Sequence, residues 1–451
     1  MRFSQILICF LSGSNFIHAF TNPSIKHAST IFDQRRQTRI GTSTSSETDT
    51  TTLPIGINPL VASVKISKTI EVFSLVKQMQ AEGIDVTSLC VGEPDFPPPQ
   101  AVLDAASQAI LDCDTRYTAV TGTAALREAI ADDLKKRKDG VTYDPTTDIV
   151  VGNGAKQCVF QGVLATCGPG DKVIIPAPYW PSYPEMVALA GAESVILPTL
   201  EKDGYLITPE ALRETLEKCG GKEKLLIFCN PSNPTGGVHS KERMLELADV
   251  LKDFPNVAIL ADEIYERLVY SDDEHTSFAS LPGMFERTMT VNGFSKAYAM
   301  TGMRLGYLAA PTHLAKAATT IQSQLTSCAG SISQAAGVAA LTKVDESEME
   351  ANVEIMREKR DFVIDRLSKM DKVKLAVPPM GAFYVLPDLS AFYGGDDTEL
   401  CLDLLKKQKL ALVPGSSFGA DGTVRISYAT SLDELEIAMN KLEAFLKECD
   451  N

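Results

Sequence analysis

The chain has 451 residues, of which 44% are hydrophobic and 22% are charged, and its 58 acidic residues against 43 Lys and Arg give a formal net charge of -15. This composition is typical of a folded protein of about two domains, and it excludes disordered, collagen-like and disulfide-scaffold classes. The acidity also argues against nucleic acid as a partner, because phosphate contacts need a basic face.

The first 52 residues differ from the rest. The apolar run Ile6–Leu11 is too short to span a bilayer but fits the hydrophobic region of a signal peptide. A basic stretch follows, and residues 42–52 are almost all Ser and Thr, which is typical of a transit peptide. The two segments in this order resemble the two-part plastid presequences of algae with secondary plastids. Residues 1–52 are therefore predicted to be a presequence for the plastid stroma, with a mitochondrial presequence or a disordered tail as alternatives.

From residue 53 onward, short apolar strands alternate with amphipathic helices. The predicted strands are Val86–Val91, Asp148–Val151, Lys172–Ile175, Leu225–Cys229, Val257–Ala261 and Thr288–Val291. Predicted helices include Ser67–Gly83, Thr123–Lys136, Lys156–Ala165, Lys241–Asp253 and Leu314–Leu325. This alternation predicts an α/β fold with a mostly parallel sheet flanked by helices. Residues 347–451 begin with a charged helix and end in a strand and a helix, which indicates a second, smaller domain.

The cysteines and histidines show no metal-binding spacing. Ten Cys contain no C-x-x-C pair, and five His contain no H-x-x-x-H pair. We therefore predict reduced, mostly buried cysteines and no metal site.

Glycine and polar residues come directly after several predicted strands. These segments are Gly152–Lys156, Pro176–Trp180, Asn230–Gly236, Asp262–Tyr265 and Asn292–Lys296. In open α/β sheets, ligands bind at the carboxyl ends of the strands. The sequence therefore predicts a site at this edge of the sheet.

Three of these segments suit one cofactor when they are taken together. Gly152–Lys156 would free backbone amides for a phosphate, although a helix start without a ligand fits it equally well. Asp262, half-buried after a strand, needs a cationic partner. Lys296, with Arg304 nearby, would have a lowered pKa and become nucleophilic. Together, these features indicate pyridoxal 5'-phosphate: a turn that can bind a phosphate, a carboxylate that can pair with a protonated pyridine, and a reactive amine.

Five motifs carry a family resemblance. They are residues 92–96, 232–236, 262–265, 293–306 and 425–428. In this order they resemble class I aminotransferases, and the resemblance runs from about Pro59 to the C-terminus. It implies a fold type I enzyme that is a homodimer with shared active sites and has a smaller α+β domain formed by both chain ends. The expected division is an N-terminal arm with part of the small domain at 53–104, a large cofactor-binding domain at 105–346 and a C-terminal small domain at 347–451.

The resemblance also implies a role for each matching residue. Lys296 would bind the cofactor covalently and move the proton, Asp262 would keep the ring nitrogen protonated, and Tyr265 would bond the phenolic oxygen. Other residues would hold the cofactor, namely Gly154, Ala155, Lys156, Trp180, Asn233, Ser295 and Arg304, with Tyr117 reaching the phosphate bound in the partner subunit. Many relatives have Ser where this chain has Gly293, so Ser295 would substitute for it.

Substrate recognition follows from the same resemblance. The residues expected to bind substrate are Gly92, Thr69, Lys156, Trp180, Asn233 and Arg425. Arg425 would clamp the α-carboxylate bidentately, and Lys156 would bind the distal carboxylate, as in prokaryotic-type aspartate aminotransferases. Thr69 matches plant-type enzymes that also convert prephenate to arogenate, although by itself it fits a helix N-terminal cap equally well. The expected substrates are therefore aspartate or glutamate, 2-oxo acids and prephenate.

Other functions remain as alternatives. A broad or aromatic aminotransferase, or a carbon–sulfur lyase, could retain Lys296, Asp262 and Arg425. The motif at residues 415–419 fits the G-x-S-x-G pattern of hydrolases. That fold places its catalytic His after the Ser, and the last His of this chain is His313, so the order of the residues excludes a hydrolase.

Overall fold

A computed structural model of the chain describes residues 56–64, 68–138, 140–270 and 275–449. The predicted presequence, residues 1–52, lies outside these residues, and so do the side chains of residues 68–71 and 73, including that of Thr69. Ile57–Asn451 forms one compact unit.

Strands and helices alternate through most of the described chain. The strands are β1 (Thr87–Ser88), β2 (Ile149–Gly152), β3 (Lys172–Ala177), β4 (Glu193–Pro198), β5 (Glu223–Cys229), β6 (Ala258–Asp262), β7 (Thr288–Gly293), β8 (Gly306–Ala309), β9 (Tyr384–Val385), β10 (Leu410–Ala411), β11 (Val413–Pro414) and β12 (Val424–Ser427). The helices are α1 (Pro59–Ser63), α2 (Lys68–Ala81), α3 (Gln100–Leu111), α4 (Ala124–Arg137), α5 (Ala155–Thr166), α6 (Ser182–Leu189), α7 (Pro209–Cys219), α8 (Lys241–Lys252), α9 (Thr312–Leu325), α10 (Ser331–Thr342), α11 (Glu346–Ser368), α12 (Asp397–Gln408) and α13 (Leu432–Cys449).

The central sheet has seven strands in the order β2-β8-β7-β6-β5-β3-β4. Strand β8 is antiparallel to both of its neighbours, and the remaining pairs are parallel. The sequence prediction of a mostly parallel sheet flanked by helices is therefore confirmed. Because β5, β6 and β7 run parallel, their carboxyl ends lie at one edge of the sheet.

Alternation of apolar residues explains why both faces of this sheet are covered. In β5, Leu225 and Ile227 pack into one buried cluster, whereas Leu226 and Phe228 pack into another on the opposite face. A strand with apolar side chains on both faces needs helices on both sides to exclude water. The sheet is therefore the middle layer of three.

Local signals set the ends of several helices. The side chains of Thr123, Thr208 and Ser240 accept hydrogen bonds from backbone amides in the first turns of α4, α7 and α8. Helix α7 also begins with Pro209 and ends before Gly220 in a left-handed conformation, which only glycine adopts at low cost. These caps satisfy backbone groups that a helix leaves unpaired.

Two smaller sheets bring distant parts of the chain together. Strand β1 pairs in parallel with β10, and β11, β12 and β9 form an antiparallel sheet. A buried cluster containing Met356, Leu404 and Leu442 packs α11, α12 and α13 around these strands. The C-terminal region thus pairs with the segment that precedes Gly92.

The predicted strand Val86–Val91 is mostly wrong, because only Thr87 and Ser88 are paired in a ladder. After Ser88 the backbone oxygens of Cys90 and Gly92 accept hydrogen bonds from the side chains of Arg425 and Lys296 instead. A segment whose carbonyls bind side chains in this way cannot continue a sheet. Its apolar run resembled a strand, but its backbone faces a cavity.

The described part of the chain contains nine cysteines, and all are free, five of them buried. The burial of these five agrees with the prediction of mostly buried cysteines. Within the described ranges, we find no helix that is both long and apolar enough to span a membrane.

Candidate active site

A cavity of about 390 Å³ lies at the carboxyl ends of the central strands, where they meet the 90–93 segment and β12. Most of the predicted site residues line it: Gly92, Ala155, Lys156, Trp180, Asn233, Asp262, Tyr265, Ser295, Lys296, Arg304 and Arg425. Residues that are far apart in sequence meet there because parallel strands end at the same edge.

Lys296 follows β7 and is the amine of this cavity. Its Nζ donates to the backbone oxygen of Gly92 at 2.5 Å and lies 5.8 Å from the centre of the Phe383 ring. Burial lowers the pKa of Lys296 to about 8, with a further contribution from the charge of Arg425. At pH 7 about a tenth of an amine with this pKa is unprotonated, a far larger share than for an ordinary lysine, and the neutral amine is the form that acts as a nucleophile or a general base.

Asp262 is the last residue of β6 and is 5% exposed. Its Oδ2 accepts from the Tyr183 hydroxyl at 2.6 Å, and its Oδ1 accepts from the amide of Ile264 at 3.4 Å. Burial raises the pKa of this carboxyl to about 6, against the lowering effect of the Tyr183 hydrogen bond. Such a carboxylate favours a cation brought in by a ligand, because ionisation in a buried site is costly without one.

Arg425, in β12, is a buried cation at 3% exposure. Its Nη1 donates to Asn233 Oδ1 at 3.1 Å, and its guanidinium lies over the rings of Tyr384 and Phe418, at 4.5 Å and 4.9 Å from their centres. Its Nε is buried without a hydrogen-bond partner among the described residues. A buried guanidinium whose protein contacts are neutral suits an anionic ligand.

The glycine-rich turn forms a second anion-binding corner. Gly154 caps α5 with φ of 87°, and a Cβ there would lie 2.5 Å from Arg304 Nη2. Arg304 itself has φ of 50°, an uncommon conformation for a residue with a side chain, and its Nη1 donates to the oxygen of Thr301 at 3.0 Å. The helix N-terminus and the guanidinium together suit a phosphate.

Lys156 adds a further cation at the exposed side of the cavity. Its Nζ lies 5.2 Å from the centre of the Trp180 ring. Burial lowers its pKa, and so does the charge of Arg304. The cavity therefore has separate cations that suit separate anionic groups.

Three predicted residues lie outside the lining of this cavity or outside the described side chains. Gly154 shapes the turn but does not line the cavity. Tyr117 is 91% exposed and is not among the residues that line the cavity. The side chain of Thr69 is not among those described, so its role stays a prediction.

Sequence reasoning missed two tyrosines that line the cavity, Tyr183 and Tyr384. The Tyr384 hydroxyl lies 2.9 Å from that of Tyr265, and a Cβ at Gly92 would collide with it. Tyr183 stands three residues after Trp180, and this spacing is the one signal that could have found it. Tyr384 belongs to β9, whose pairing with β12 beside Arg425 has no local sequence signal.

One group of described residues has the donors of a metal site, namely Glu263, Glu266 and His275. The Lys138 ammonium forms ion pairs with both carboxylates and is 2% exposed. The lysine thus supplies the positive charge that this pair of acids requires.

Ser417, the serine of the G-x-S-x-G pattern, lies in a single helical turn directly after Ser416. The Ser416 hydroxyl donates to Asp397 Oδ1 at 2.7 Å, and the Ser416 amide donates to Asp397 Oδ2 at 2.9 Å. The buried carboxylate also accepts from the amide of Gly422 at 3.0 Å. These bonds tie the loop that carries Ser417 to the start of α12, which gives the glycine- and serine-rich segment a structural role.

The residues of the cavity fit pyridoxal 5'-phosphate. Asp262 suits a protonated ring nitrogen, Lys296 suits an aldehyde, and the turn at Gly154 with Arg304 suits a phosphate. A Cβ at Gly92 would collide with the Tyr384 side chain and one at Gly154 with the Arg304 guanidinium, so two side chains that line the cavity pack directly against glycine backbone. The fold and the cavity together define the class as a fold type I pyridoxal-phosphate-dependent enzyme.

Comparisons with known proteins identify the family. Residues 84–442 match the family model of aminotransferase class I and II. The chain is 49% identical to an aspartate aminotransferase of Pinus pinaster, over 87% of this chain and 81% of that protein. It is 43% identical to a bifunctional aspartate aminotransferase and glutamate/aspartate-prephenate aminotransferase of Petunia hybrida, over 97% of this chain and 91% of that protein.

A solved structure agrees with these matches. The aspartate aminotransferase of Thermus thermophilus with maleate is 36% identical and has a TM-score of 0.81, with 87% of this chain and all of that chain covered. The chain therefore belongs to the class I and II aminotransferase family. It is a pyridoxal-phosphate-dependent aminotransferase, as the motifs predicted.

Proposed function

We propose that this aminotransferase exchanges the amino group between aspartate or glutamate and the 2-oxo acids 2-oxoglutarate and oxaloacetate, and that it also converts prephenate to arogenate. The observation that carries the proposal is a cavity that combines Lys296 and Asp262 with two separate cations, Arg425 and Lys156. Dicarboxylate substrates need two cationic contacts. The names of the relatives from Pinus pinaster and Petunia hybrida support the same substrates.

The proposed catalytic residues are Lys296, Asp262 and Tyr265. When bound, the cofactor supplies an electron sink for the carbon that loses its proton. The Lys296 amine, with its lowered pKa, removes and returns that proton. Asp262 holds the proton on the ring nitrogen, and Tyr265 donates to the phenolic oxygen from a hydroxyl whose pKa burial raises well above its usual value.

The proposed binding residues divide into two groups. The phosphate is held by the amides of Gly154, Ala155 and Lys156 together with Ser295 and Arg304, the ring is covered by Trp180, and Asn233 contacts its phenolic oxygen. Substrate is bound by Gly92, Thr69, Lys156, Trp180, Asn233 and Arg425. This division is supported by the φ of Gly154, by the position of the Lys156 Nζ beside Trp180, and by the buried guanidinium of Arg425.

Initial rates with aspartate as the donor test the substrate proposal directly. We expect saturable turnover with 2-oxoglutarate and with prephenate as acceptors, measured side by side with the same enzyme preparation. Turnover with 2-oxoglutarate but none with prephenate would limit the function to aspartate transamination. Release of pyruvate and ammonia from a cysteine conjugate, without any 2-oxo acid, would favour the carbon–sulfur lyase instead.

Replacement of Lys156 should change substrate preference. Because its ammonium is proposed to bind the distal carboxylate, Lys156→Ala should lower kcat/KM for aspartate by about 10–100-fold, the size expected for a lost charged hydrogen bond. A monocarboxylate donor such as alanine should lose much less. Lys135→Ala, which removes an exposed lysine from α4, is the matched control and should leave both values unchanged. An equal loss on both donors would contradict distal recognition by Lys156.

We propose that the enzyme is a homodimer in which Tyr117 reaches the phosphate bound in the partner subunit. Tyr117 is 91% exposed, and Leu111 and Ile110 nearby are 74% and 56% exposed. Aromatic and aliphatic side chains exposed together are typical of a surface that a partner covers. Sedimentation equilibrium should give twice the mass of the chain, and a monomer that is fully active would contradict the proposal.

We also propose the domain division and the presequence that the sequence predicts. Pairing of β1 with β10 supports a small domain made of residues 53–104 and 347–451, with 105–346 as the large domain. Limited proteolysis should leave 105–346 as one fragment.

Residues 1–52 fused to a fluorescent protein should carry it to the plastid stroma, and delivery to mitochondria would contradict the plastid address.

A further inference from the structure

We propose that Tyr183 is a positioning residue for the cofactor, because its hydroxyl keeps the Asp262 carboxylate ionised and oriented toward the ring nitrogen. The proposal rests on the role of Asp262 proposed above. It goes further because it predicts that the Tyr183 hydroxyl sets the lowest pH at which the enzyme binds its cofactor and turns over substrate.

The geometry makes Tyr183 a fixed donor. It lies in the first turn of α6, is 2% exposed, and places its hydroxyl 2.6 Å from Asp262 Oδ2. Its ring packs edge-on against Trp180, with the ring centres 5.3 Å apart and the planes at 87°. A phenol held by packing on a helix loses little further freedom when it bonds a carboxylate, and such charge-assisted bonds are among the strong ones.

The direction of this hydrogen bond is not ambiguous. Burial raises the pKa of Tyr183 well above its usual value, and the neighbouring Asp262 adds to the effect. The phenol therefore keeps its proton, and an ionised carboxylate can only accept. The bond consequently stabilises the charged form of Asp262 and not the neutral form.

The other groups that face Asp262 do not replace this bond. Glu263 carries a like charge and raises the pKa of Asp262, whereas Lys296 lowers it only through space. The thiols of Cys158 in α5 and Cys229 in β5 both face the carboxylate. Burial raises the pKa of each thiol to about 12, so both stay neutral.

Only one other hydrogen bond to the side-chain carboxylate of Asp262 is found among the described residues, the 3.4 Å contact from the backbone amide of Ile264. Tyr183 is thus the single side-chain donor to this carboxylate in the described part of the chain. Burial raises the pKa of Asp262, and the Tyr183 hydrogen bond is the main effect that lowers it. Without the hydroxyl, the pKa of Asp262 would therefore rise. The carboxyl would then keep its proton to a higher pH, and a neutral carboxyl cannot pair with a protonated ring nitrogen.

The test is Tyr183→Phe, which removes the oxygen and keeps the ring. Trp180 is the only tryptophan of the chain and lines the cavity, so its fluorescence reports cofactor binding to the full-length protein after the cofactor has been removed. We expect the pH at which cofactor affinity declines on acidification to move upward by about one unit, a tenfold loss of affinity on the acid side. The acid limb of kcat should move by the same amount in the reloaded enzyme.

Two further variants separate positioning from general damage. Tyr143→Phe removes another buried tyrosine hydroxyl, one that bonds Thr290 at 3.2 Å, and it should leave the pH dependence unchanged. Replacement of Tyr183 by 4-aminophenylalanine keeps the ring and an N–H donor in place of the hydroxyl, and it should restore most of the wild-type acid limb. If Tyr183→Phe fails to fold, the aminophenylalanine variant carries the test, because a folded variant that keeps this donor but has a displaced acid limb would contradict the proposal.

The outcomes also separate this inference from the proposed function. A Tyr183→Phe protein that binds cofactor with the wild-type pH dependence would overturn the role of Tyr183 alone. A wild-type protein that binds no cofactor at any pH would contradict the proposed function instead.

Discussion

Lys296→Ala protein should bind pyridoxal phosphate and yet turn over about 10⁴-fold more slowly than the wild type with every amino acid donor. The phosphate corner and Asp262 remain, so the cofactor still has most of its proposed contacts. The amine that removes and returns the proton is absent, and the other lining lysine with a lowered pKa, Lys156, has its Nζ over the Trp180 ring at the exposed side of the cavity. Cofactor content by absorbance and steady-state rates measure the two effects separately.

Lys296→Arg is the informative control for charge. A guanidinium keeps the positive charge but does not give up its proton in a protein, so it cannot act as a base. We therefore expect the Arg variant to be as inactive as the Ala variant. Wild-type-like rates in either variant would contradict the assignment of Lys296.

Arg425→Ala should lower kcat/KM for amino acid donors by about 10³-fold, because removal of one partner of a buried charge pair is among the most costly changes at a binding site. Arg425→Lys should recover only part of this loss. A lysine retains the charge but not the planar fork that pairs with a carboxylate through two hydrogen bonds. Steady-state kinetics with aspartate and with alanine should show the loss on both, since both have an α-carboxylate.

Arg360 offers a matched control for the removal of a guanidinium that packs on an aromatic ring. It lies 4.9 Å from the centre of the Tyr270 ring and does not line the cavity. Arg360→Ala should therefore leave kcat/KM close to that of the wild type. A loss confined to kcat in Arg425→Ala, with an unchanged KM, would contradict the role of Arg425 in substrate binding.

Ligands of open α/β sheets bind at the carboxyl ends of the strands, and this explains why much of the site could be predicted from the sequence. Asp262 is the last residue of β6 and Lys296 comes three residues after β7, and the parallel pairing of these strands aligns their ends. Lys156 lies at the start of α5, two residues after the glycine that marks this helix start. For residues of this kind, local pattern and sheet geometry together determine position, and motif recognition then adds the chemistry.

The remaining parts of the site depend on contacts between distant segments. Tyr384 reaches the cavity because β9 pairs with β12, and no local pattern reports that register. The 90–93 segment has the apolar composition of a strand, but its carbonyls bind Arg425 and Lys296. Helix α6, with Tyr183, is only eight residues long and follows a proline-rich turn, so its periodicity is too short to recognise.

The most direct test of the central claim is a half-reaction with aspartate alone, using cofactor-loaded enzyme at a known concentration of sites. An aminotransferase predicts one equivalent of oxaloacetate per site, no ammonia, loss of the visible absorbance of the bound aldehyde, and recovery of that absorbance when 2-oxoglutarate is added. Continuous release of ammonia without an acceptor, or aspartate that leaves the absorbance unchanged, would contradict the account.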